Sequence, residues 1–337
     1  MASSCDDARA WSTRPLHDAL GAEVVGADTA ALQSGSESVC KFLRSALDIG
    51  LGLLLLRVDT NLWDAAAMRN FTSCFGQLED APVDGNYERF LEPGDGRVHV
   101  FSKVPSARVF DTHSANEEQR HATVWDPRTG RPSWHTDQSF RSPPARFSSM
   151  YCVRAPAFGG DTLYAGAVAA YAALPPAQRK FIDTLSANHS YEALASHFRR
   201  QVAPALHSSE QQHLSAERRE SHAALGAAVH PMTRPHASGG RSLYLAPTVI
   251  EAVVETCDPS TPVRATRALV DELAAHCTEP RFVYRHRWRA GDLVLWDNFA
   301  TMHAAMALRD IDTGERTMWR TTVAATAESG ADEPNQQ

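Results

Sequence analysis

Two residues, His135 and Asp137, have the side-chain types and the spacing to bind a metal ion. Successive side chains of an extended strand alternate between its faces, so residues two positions apart point the same way. His135 and Asp137 can then offer an imidazole nitrogen and a carboxylate oxygen to one point. A second histidine from far along the chain, His303, would complete a 2-His-1-carboxylate set. That set leaves one side of an octahedral metal open, as in non-heme Fe(II) oxygenases.

A histidine and an aspartate at this spacing are a weak signal when they stand alone. The chain has 15 histidines, and any one of these ligands could instead be a surface residue or a hydrogen-bonded core residue. Imidazole also suits iron, nickel, copper and zinc, so the ligand types do not select iron. His189, His230, His286 and Asp297 are interpreted as ordinary strand or turn residues. The motifs around the ligands therefore decide the interpretation.

Four motifs resemble the taurine dioxygenase (TauD/TfdA) family of Fe(II)/2-oxoglutarate-dependent dioxygenases. They are Trp134-His135-Thr136-Asp137, Gly159-Gly160-Asp161-Thr162-Leu163, Trp296-Asp297-Asn298 with His303, and Arg316-Thr317-Met318-Trp319-Arg320-Thr321-Thr322. They follow one another in the family's order with similar spacing, and the stretch at 20–28 resembles the family's opening strand. The resemblance covers residues 16 to 325. Four motifs in register are a much stronger signal than any one of them.

The resemblance assigns roles to individual residues. It implies that His135, Asp137 and His303 are the catalytic metal ligands and that the metal is Fe(II). It also implies that Arg316, aided by the hydroxyl of Thr162, binds the distal carboxylate of the cosubstrate 2-oxoglutarate. A planar guanidinium can bind a carboxylate through two parallel hydrogen bonds, which lysine cannot do.

An ordinary ion pair is the alternative for Arg316, with Glu315 or Asp312 as its partner. Thr162 on its own would be an ordinary strand threonine. Its position in the Gly-Gly-Asp-Thr-Leu motif is what associates it with the cosubstrate.

Arg320 lies four residues after the first arginine of its motif, so a strand would place both on the same face. In members of the family that use taurine, the matching arginine faces the anionic group of the substrate. We also assign Asp84, Arg131 and Gln138 to the substrate pocket. The alternative is that Arg320 pairs inside the protein, for instance with an acidic residue of segment 79–95, and that Asp84 is a solvated loop residue.

The sequence departs from the taurine enzymes where they bind taurine. Those enzymes carry His-Pro-Val-Tyr where this chain has Ala81-Pro82-Val83-Asp84, and asparagine where it has Arg131, four residues before the first iron ligand. Both differences leave the metal ligands intact and argue against taurine as the substrate. Asp84 adds a negative charge, which would suit a substrate that carries an amine beside its carboxylate.

Composition excludes several other classes of protein. There are 33 basic and 40 acidic residues, for a formal net charge of −7, and no dense run of lysine and arginine, so nucleic-acid binding is not expected. The apolar runs are too short to span a bilayer, and the N-terminus lacks the pattern of a signal peptide. Six cysteines without a C-x-x-C pair are typical of a reducing cytosol, with most of them as small buried hydrophobes. We expect a cytoplasmic protein without a membrane partner; whether it forms a homo-oligomer stays open.

Many short strands separated by turns, with helices before and between them, predict a mainly β protein of the sandwich or jelly-roll type. The resemblance implies the cupin-like double-stranded β-helix. The predicted strands include 21–25, 51–58, 98–101, 146–153, 281–288 and 317–323, and the predicted helices are 36–47, 59–71, 165–184 and 262–276.

We expect a single dioxygenase domain over residues 16–325, between a flexible N-terminus at 1–15 and a flexible tail at 326–337. The polar segment 79–132 is predicted to form a wall of the active site, since long loops in compact domains are often functional or disordered. Disorder of residues 112–130 is the alternative. Residues 190–228 are predicted to form a mobile lid.

The implied reaction is decarboxylation of 2-oxoglutarate with O2, to succinate and CO2, coupled to oxidation of a C–H bond in a small organic substrate with a carboxylate. Hydroxylation is the default; desaturation, ring formation or epimerisation would use the same ligands. Halogenation is disfavoured, because Asp137 occupies the position that a halide would need. Two other functions stay open: a non-catalytic metal-binding jelly roll that senses a small organic acid, and a zinc hydrolase, although no general base stands beside the triplet.

Overall fold

The protein is described here from a computed structural model. The structure describes residues 11–80, 90–92, 95–102, 125–126, 131–155, 159–194, 226–263, 265–306 and 316–325. Most of the predicted flexible ends, most of the predicted wall and most of the predicted lid lie outside these residues. Among the described helices, none is both long enough and apolar enough to cross a membrane.

The described residues form many strands, with helices between some of them. The strands are β1 (Ser12–Pro15), β2 (Ala22–Val25), β3 (Leu53–Arg57), β4 (Phe90–Glu92), β5 (Asp95–Ser102), β6 (Trp125–Asp126), β7 (Arg131–Pro132), β8 (Ala145–Arg154), β9 (Thr162–Gly166), β10 (Leu185–Ser190), β11 (Ala227–Pro231), β12 (Thr233–Pro235), β13 (Arg241–Leu243), β14 (Ile250–Glu255), β15 (Asp258–Pro262), β16 (Val283–His286), β17 (Asp292–Asp297), β18 (Thr301–Ala305) and β19 (Thr317–Ala324). The helices are α1 (Thr29–Ser34), α2 (Glu37–Ile49), α3 (Ala65–Ser73), α4 (Ala167–Ala173), α5 (Pro176–Ile182) and α6 (Thr266–Cys277), with a 3-10 turn at Pro280–Phe282.

The largest sheet has the strand order β1-β2-β3-β17-β8-β19-β5-β4. Its central strand β17 is buried along its whole length, as expected for a strand that is covered on both faces. Leu293 and Leu295 pack into the core beneath α2 and α3, whereas Val294 and Trp296 pack into a second core on the opposite face. The alternation of strand side chains thus gives this sheet two buried faces.

A three-stranded antiparallel sheet, β16-β9-β18, covers the second core. Tyr164 of β9 meets Trp296 of β17 with ring centroids 5.6 Å apart. The two sheets therefore face each other across one apolar layer, and the predicted mainly β class with flanking helices is confirmed.

Several predicted elements have different ends in the structure. The predicted helix 165–184 is two helices, because Leu174 precedes a proline and is extended (φ −67°, ψ 147°). The predicted helix 262–276 begins only at Thr266, since Pro262 ends β15 and Ala265 has a left-handed backbone with φ 60°.

The helix predicted after residue 59 also begins later than expected. Its N-cap is Asp64, whose carboxylate accepts a hydrogen bond from the backbone N–H of Ala67 at 2.8 Å. Asp59 instead accepts from the backbone N–H of Asn61 at 2.9 Å. Both aspartates are good caps and good turn residues, so the local pattern could not choose between them.

The cysteine interpretation needs a correction. Cys40 of α2 and Cys74, just after α3, form a disulfide although they are 34 residues apart in the sequence. A search for closely spaced pairs could not find this bridge, because the packing of the two helices brings the thiols together. Cys152 and Cys277 are free and buried, as predicted.

Candidate metal and anion site

The two proposed histidine ligands are joined through their backbones. His135 donates its N–H to the carbonyl of His303 at 3.0 Å, and His303 donates back at 2.8 Å. This isolated antiparallel bridge attaches the 133–137 stretch to the edge of β18. The imidazole rings therefore lie on the same side, with centroids 4.2 Å apart.

Asp137 completes the cluster that was predicted from the sequence. One potential ligand atom from each of His135, Asp137 and His303 lies within 4.8 Å of the others, and no other metal-binding group of this kind is found among the described residues. The Nε2 atom of His303 is 3.7 Å from Oδ1 of Asp137. Asp137 and His303 are buried, at 6% and 7% exposed, and His135 is half-buried.

The two oxygens of the Asp137 carboxylate have different neighbours. Oδ2 forms an ion pair with Arg320 at 2.7 Å and accepts a hydrogen bond from the Ser148 hydroxyl at 2.7 Å, which leaves Oδ1 toward His303. Burial alone would raise the pKa of Asp137, but the positive charge of Arg320, helped by the hydrogen bond from Ser148, outweighs it and holds that pKa well below its usual range. The site therefore keeps a charged carboxylate in a buried position.

Both histidines can present a free nitrogen. Burial and the neighbouring His135 lower the pKa of His303 to about 3, against the opposing effect of Asp137, so its ring is neutral. The Nδ1 atom of His135 lies 3.0 Å from the carbonyl of Ser133, which can only accept, so Nδ1 is the donor and Nε2 is the nitrogen that remains for a metal. A charged carboxylate and two neutral imidazoles are the protonation states that a divalent metal requires.

Asn298 orients this cluster, and the sequence analysis quoted it only as part of a motif. Its Oδ1 accepts from the backbone N–H of Asp137 at 3.2 Å and from the indole of Trp296 at 3.1 Å. Its Nδ2 donates to the hydroxyl of Ser148 at 3.0 Å, which in turn donates to Asp137. No local signal could have identified Ser148, because the packing of β8 and not a sequence motif brings it to Asp137 and to Asn298, which lies 150 residues later.

His230 and His189 hold the turn that follows Asp137, although both were interpreted as ordinary strand residues. The Nε2 atom of His230 lies 2.8 Å from the carbonyl of Ser139 and 3.1 Å from that of Arg141. Since both partners only accept, Nε2 is the donor. Nδ1 of His189 lies 2.9 Å from the Ser139 hydroxyl. Both histidines come from the β10–β11 pair and support the loop next to the metal ligand.

Gln138, proposed to bind substrate, lies in this same turn with a left-handed backbone (φ 47°). Its side-chain oxygen accepts from Arg141 at 2.7 Å, and Arg141 also pairs with Glu79 at 2.8 Å. Arg131 lies in β7, and its side chain is outside the described residues, as is Asp84 altogether.

A group of buried donors lies beside the metal cluster. The Nε atom of Arg316 is buried and has no hydrogen-bond partner, and burial lowers the pKa of its guanidinium. The hydroxyl oxygen of Thr162 accepts from the indole of Trp288 at 3.0 Å, so its own proton is available to another acceptor. Donors left without an acceptor in a buried place fit an anionic ligand.

Arg320 sits closer to the metal cluster than Arg316 does. It lies opposite His99 of β5 and Met150 of β8 in the sheet, and it pairs inside the protein with Asp137. Because β19 alternates its side chains, Met318 and Arg320 share the face toward the second core.

Comparison with known proteins gives a consistent result. The model of the Taurine catabolism dioxygenase TauD, TfdA family matches residues 12–322. An alpha-ketoglutarate-dependent 2,4-dichlorophenoxyacetate dioxygenase of Burkholderia sp. (strain RASC) is 34% identical over 69% of each chain. An alpha-ketoglutarate-dependent sulfate ester dioxygenase of Pseudomonas putida is 34% identical over 59% of this chain and 62% of its own. The structure of AAD-2 with Mn(II) and N-oxalylglycine has a TM-score of 0.67 at 24% identity, covering 96% of this chain and 99% of that one, which confirms the jelly-roll fold.

Proposed function

This chain belongs to the TauD/TfdA family of non-heme iron, 2-oxoglutarate-dependent dioxygenases, and we propose that it oxidises a C–H bond of a small organic acid other than taurine. Succinate and CO2 are the expected products from the cosubstrate. The observation that carries the proposal is the cluster of His135, Asp137 and His303 beside buried donors that lack an acceptor. When bound, Fe(II) would supply the activation of O2.

The chain's own residues would prepare the site for that chemistry. His135, Asp137 and His303 would hold Fe(II) on one side and leave the other side to ligands. Arg316 and the hydroxyl of Thr162 would bind the distal carboxylate of 2-oxoglutarate and fix its direction. Trp296 and Tyr164, which pack against His303 at 5.0 Å and 6.2 Å, would exclude water from that side of the cluster.

Arg320 supports an anionic substrate. One of its nitrogens holds Asp137 at 2.7 Å, and a guanidinium has five N–H donors in all. The 2,4-dichlorophenoxyacetate and sulfate esters named for two relatives are both anions. We propose that Arg320 orients Asp137 and also meets the substrate carboxylate, with Asp84, Arg131 and Gln138 in the same pocket.

The proposal extends to the rest of the chain. The division into one domain over 16–325 with flexible ends stays a prediction, as do the wall at 79–132 and the lid at 190–228. A small-molecule partner, without nucleic acid or membrane, is proposed, and the oligomeric state stays open. A cytoplasmic location also stays a prediction, and the Cys40–Cys74 bridge counts against it, because disulfides are rare in reducing compartments.

Succinate release tests the reaction. Purified protein with Fe(II), 2-oxoglutarate and O2 would be screened against a panel of organic and amino acids, with taurine included. We expect succinate that depends on one or more acids but not on taurine. Metal binding without succinate for every acid would favour the sensor, and oxygen-independent hydrolysis would favour the zinc hydrolase.

A methyl ester tests the role of Arg320. For the best acid of the panel, the wild type should turn over the acid far better than its neutral methyl ester, and Arg320→Ala should lose this preference. Since Arg320 also holds Asp137, Mn(II) affinity of the variant would be measured alongside. An ester that performs as well as the acid in both proteins would contradict the anion site.

A further inference from the structure

Tyr164 occupies the centre of the small sheet that carries a metal ligand. It lies directly opposite His303 on β18 and directly opposite Tyr284 on β16. Residues opposite each other in antiparallel strands have their side chains on the same face. Thr162, two residues earlier, shares that face as well. The metal ligand, the tyrosine and the cosubstrate threonine therefore form adjoining positions on one surface.

The hydroxyl of Tyr164 has an unusual environment. The residue is 0% exposed, and in the described part of the chain its oxygen has no hydrogen-bond partner. A buried hydroxyl without a partner costs free energy, and such groups in native proteins call for an explanation. Tyr284, which lies opposite Tyr164 on β16, differs, because its hydroxyl lies 3.2 Å from Nδ1 of His286.

Packing fixes the direction of the Tyr164 ring. It stacks on His303, with centroids 6.2 Å apart and planes at 27°, and meets Trp296 of the large sheet at 5.6 Å. The ring is therefore held between the two sheets beside the metal cluster.

Burial keeps the hydroxyl of Tyr164 protonated. Burial raises its pKa well above the ordinary value and the negative charge of Asp137 adds to this, while the positive charges of Arg316 and then Arg320 act in the other direction. A neutral phenol is a hydrogen-bond donor. Arg316 is also within electrostatic reach of this hydroxyl and has its own unpartnered Nε.

We infer that the Tyr164 hydroxyl donates a hydrogen bond to the distal carboxylate of 2-oxoglutarate, as a third donor beside Arg316 and Thr162; this rests on the proposed function. All three groups are donors, and none has a negative partner among the described residues, so a carboxylate would satisfy them together. Tyr164 would thus be a cosubstrate-binding residue that selects keto acids with a second carboxylate.

Calorimetric titration of Mn(II)-loaded protein tests the inference. The ligands would be 2-oxoglutarate and 2-oxopentanoate, which has the same chelating end and chain length but no distal carboxylate. Tyr164→Phe keeps the ring and removes only the oxygen. We expect 2-oxoglutarate affinity to fall about ten- to a hundredfold, with affinities for 2-oxopentanoate and Mn(II) unchanged.

Tyr284→Phe is the matched control, since it removes the hydroxyl of the tyrosine that lies directly opposite Tyr164 in the same sheet. It should leave both keto-acid affinities near those of the wild type. The metal-free Tyr164→Phe protein should be at least as resistant to denaturant as the wild type, because it loses a buried hydroxyl without a partner. A merely structural hydroxyl would not produce this combination.

Two results would overturn the inference alone: equal 2-oxoglutarate affinity in Tyr164→Phe and wild type, or an equal loss for both keto acids. An equal loss for both keto acids would place the Tyr164 hydroxyl at the end of the keto acid that chelates the metal. Failure of the wild type itself to bind 2-oxoglutarate would overturn the proposed function, and this inference with it.

Discussion

At the scale of single residues, the site depends on protonation states that burial and neighbours impose. Asp137 stays charged because Arg320 and Ser148 bind one of its oxygens, and His303 stays neutral because burial disfavours its charged form. Asp137 thus keeps its other oxygen as a charged ligand beside the neutral ring of His303. The arrangement is therefore suited to a divalent metal.

Removal of any one ligand should abolish tight metal binding. In His135→Ala, Asp137→Ala and His303→Ala, we expect Fe(II) affinity to fall by more than the about 10- to 100-fold typical of residues that only support a ligand. Activity should be lost while circular dichroism still reports a folded protein. Anaerobic Fe(II) titration would measure this, and full iron occupancy in one variant would remove that residue from the ligand set.

Arg316→Lys should weaken 2-oxoglutarate, because a point charge replaces a planar group with two parallel donors. Loss of a charge-assisted hydrogen bond costs about 1.5–3 kcal/mol, which is about ten- to a hundredfold in affinity. Titration of Mn(II)-loaded protein would measure it. Arg287→Lys, at a side chain 80% exposed, is the control, and an unchanged affinity in Arg316→Lys would exclude its role.

At the scale of elements, three separate parts of the fold hold the site. The β18 edge binds the His135 backbone, the β17–β8 pair supplies Asn298 and Ser148 around Asp137, and the β10–β11 pair supplies the histidines under the following turn. Each contact lies on a regular strand or at its end. Such positions hold side chains more rigidly than loops do.

His230, one of these supporting histidines, should make the stability of the protein depend on pH. Burial, followed by the charge of Arg234, lowers its pKa to about 4, against the effect of its two backbone hydrogen bonds. As the pH falls below the unfolded value of about 6.5, the unfolded chain binds a proton that the folded chain cannot. Stability from this residue is therefore complete above pH 6.5 and is lost between about 6.5 and 4, by up to about 3 kcal/mol.

His230→Gln removes the titration but keeps a donor for the two carbonyls. We expect urea unfolding of the variant to lose less stability than the wild type between pH 7 and pH 4.5. Stability curves that run parallel over this range would show that His230 does not carry the effect.

At the scale of the whole molecule, a helical layer covers the outer face of the large sheet. Residues of α2 and α3 form one core with Leu293 and Leu295 of β17, and the Cys40–Cys74 bridge joins these helices. The site lies on the opposite face of the same sheet. The helical layer therefore supports the site only through the sheet.

Reduction of the bridge should destabilise the protein without removing the metal site. A disulfide that closes a loop of 34 residues constrains the unfolded chain and contributes about 3–4 kcal/mol in the chain-entropy model. We expect a reductant to lower the free energy of unfolding by about this amount. Cys40→Ser should be insensitive to the reductant, and Mn(II) affinity of the folded protein should not change.

The sequence by itself determined the local features. The pleat of an extended chain decides that His135 and Asp137 point the same way, and the planar fork of arginine makes Arg316 and Arg320 suited to carboxylates. Apolar runs and apolar alternation located the strands that were predicted to within a few residues. These properties depend on neighbours in the chain, and therefore a single sequence reveals them.

Only the tertiary structure decided which distant groups meet. It placed Ser148 and Asn298 on Asp137, His230 under the next turn, and Cys40 beside Cys74, and it gave Arg320 the metal ligand itself as a partner. Sequence reasoning left these out because strand pairing and layer packing join residues as far apart in the chain as Asp137 and Arg320. A pattern of neighbouring residues cannot reveal such contacts, because the burial of the two hydrophobic cores determines which distant residues meet.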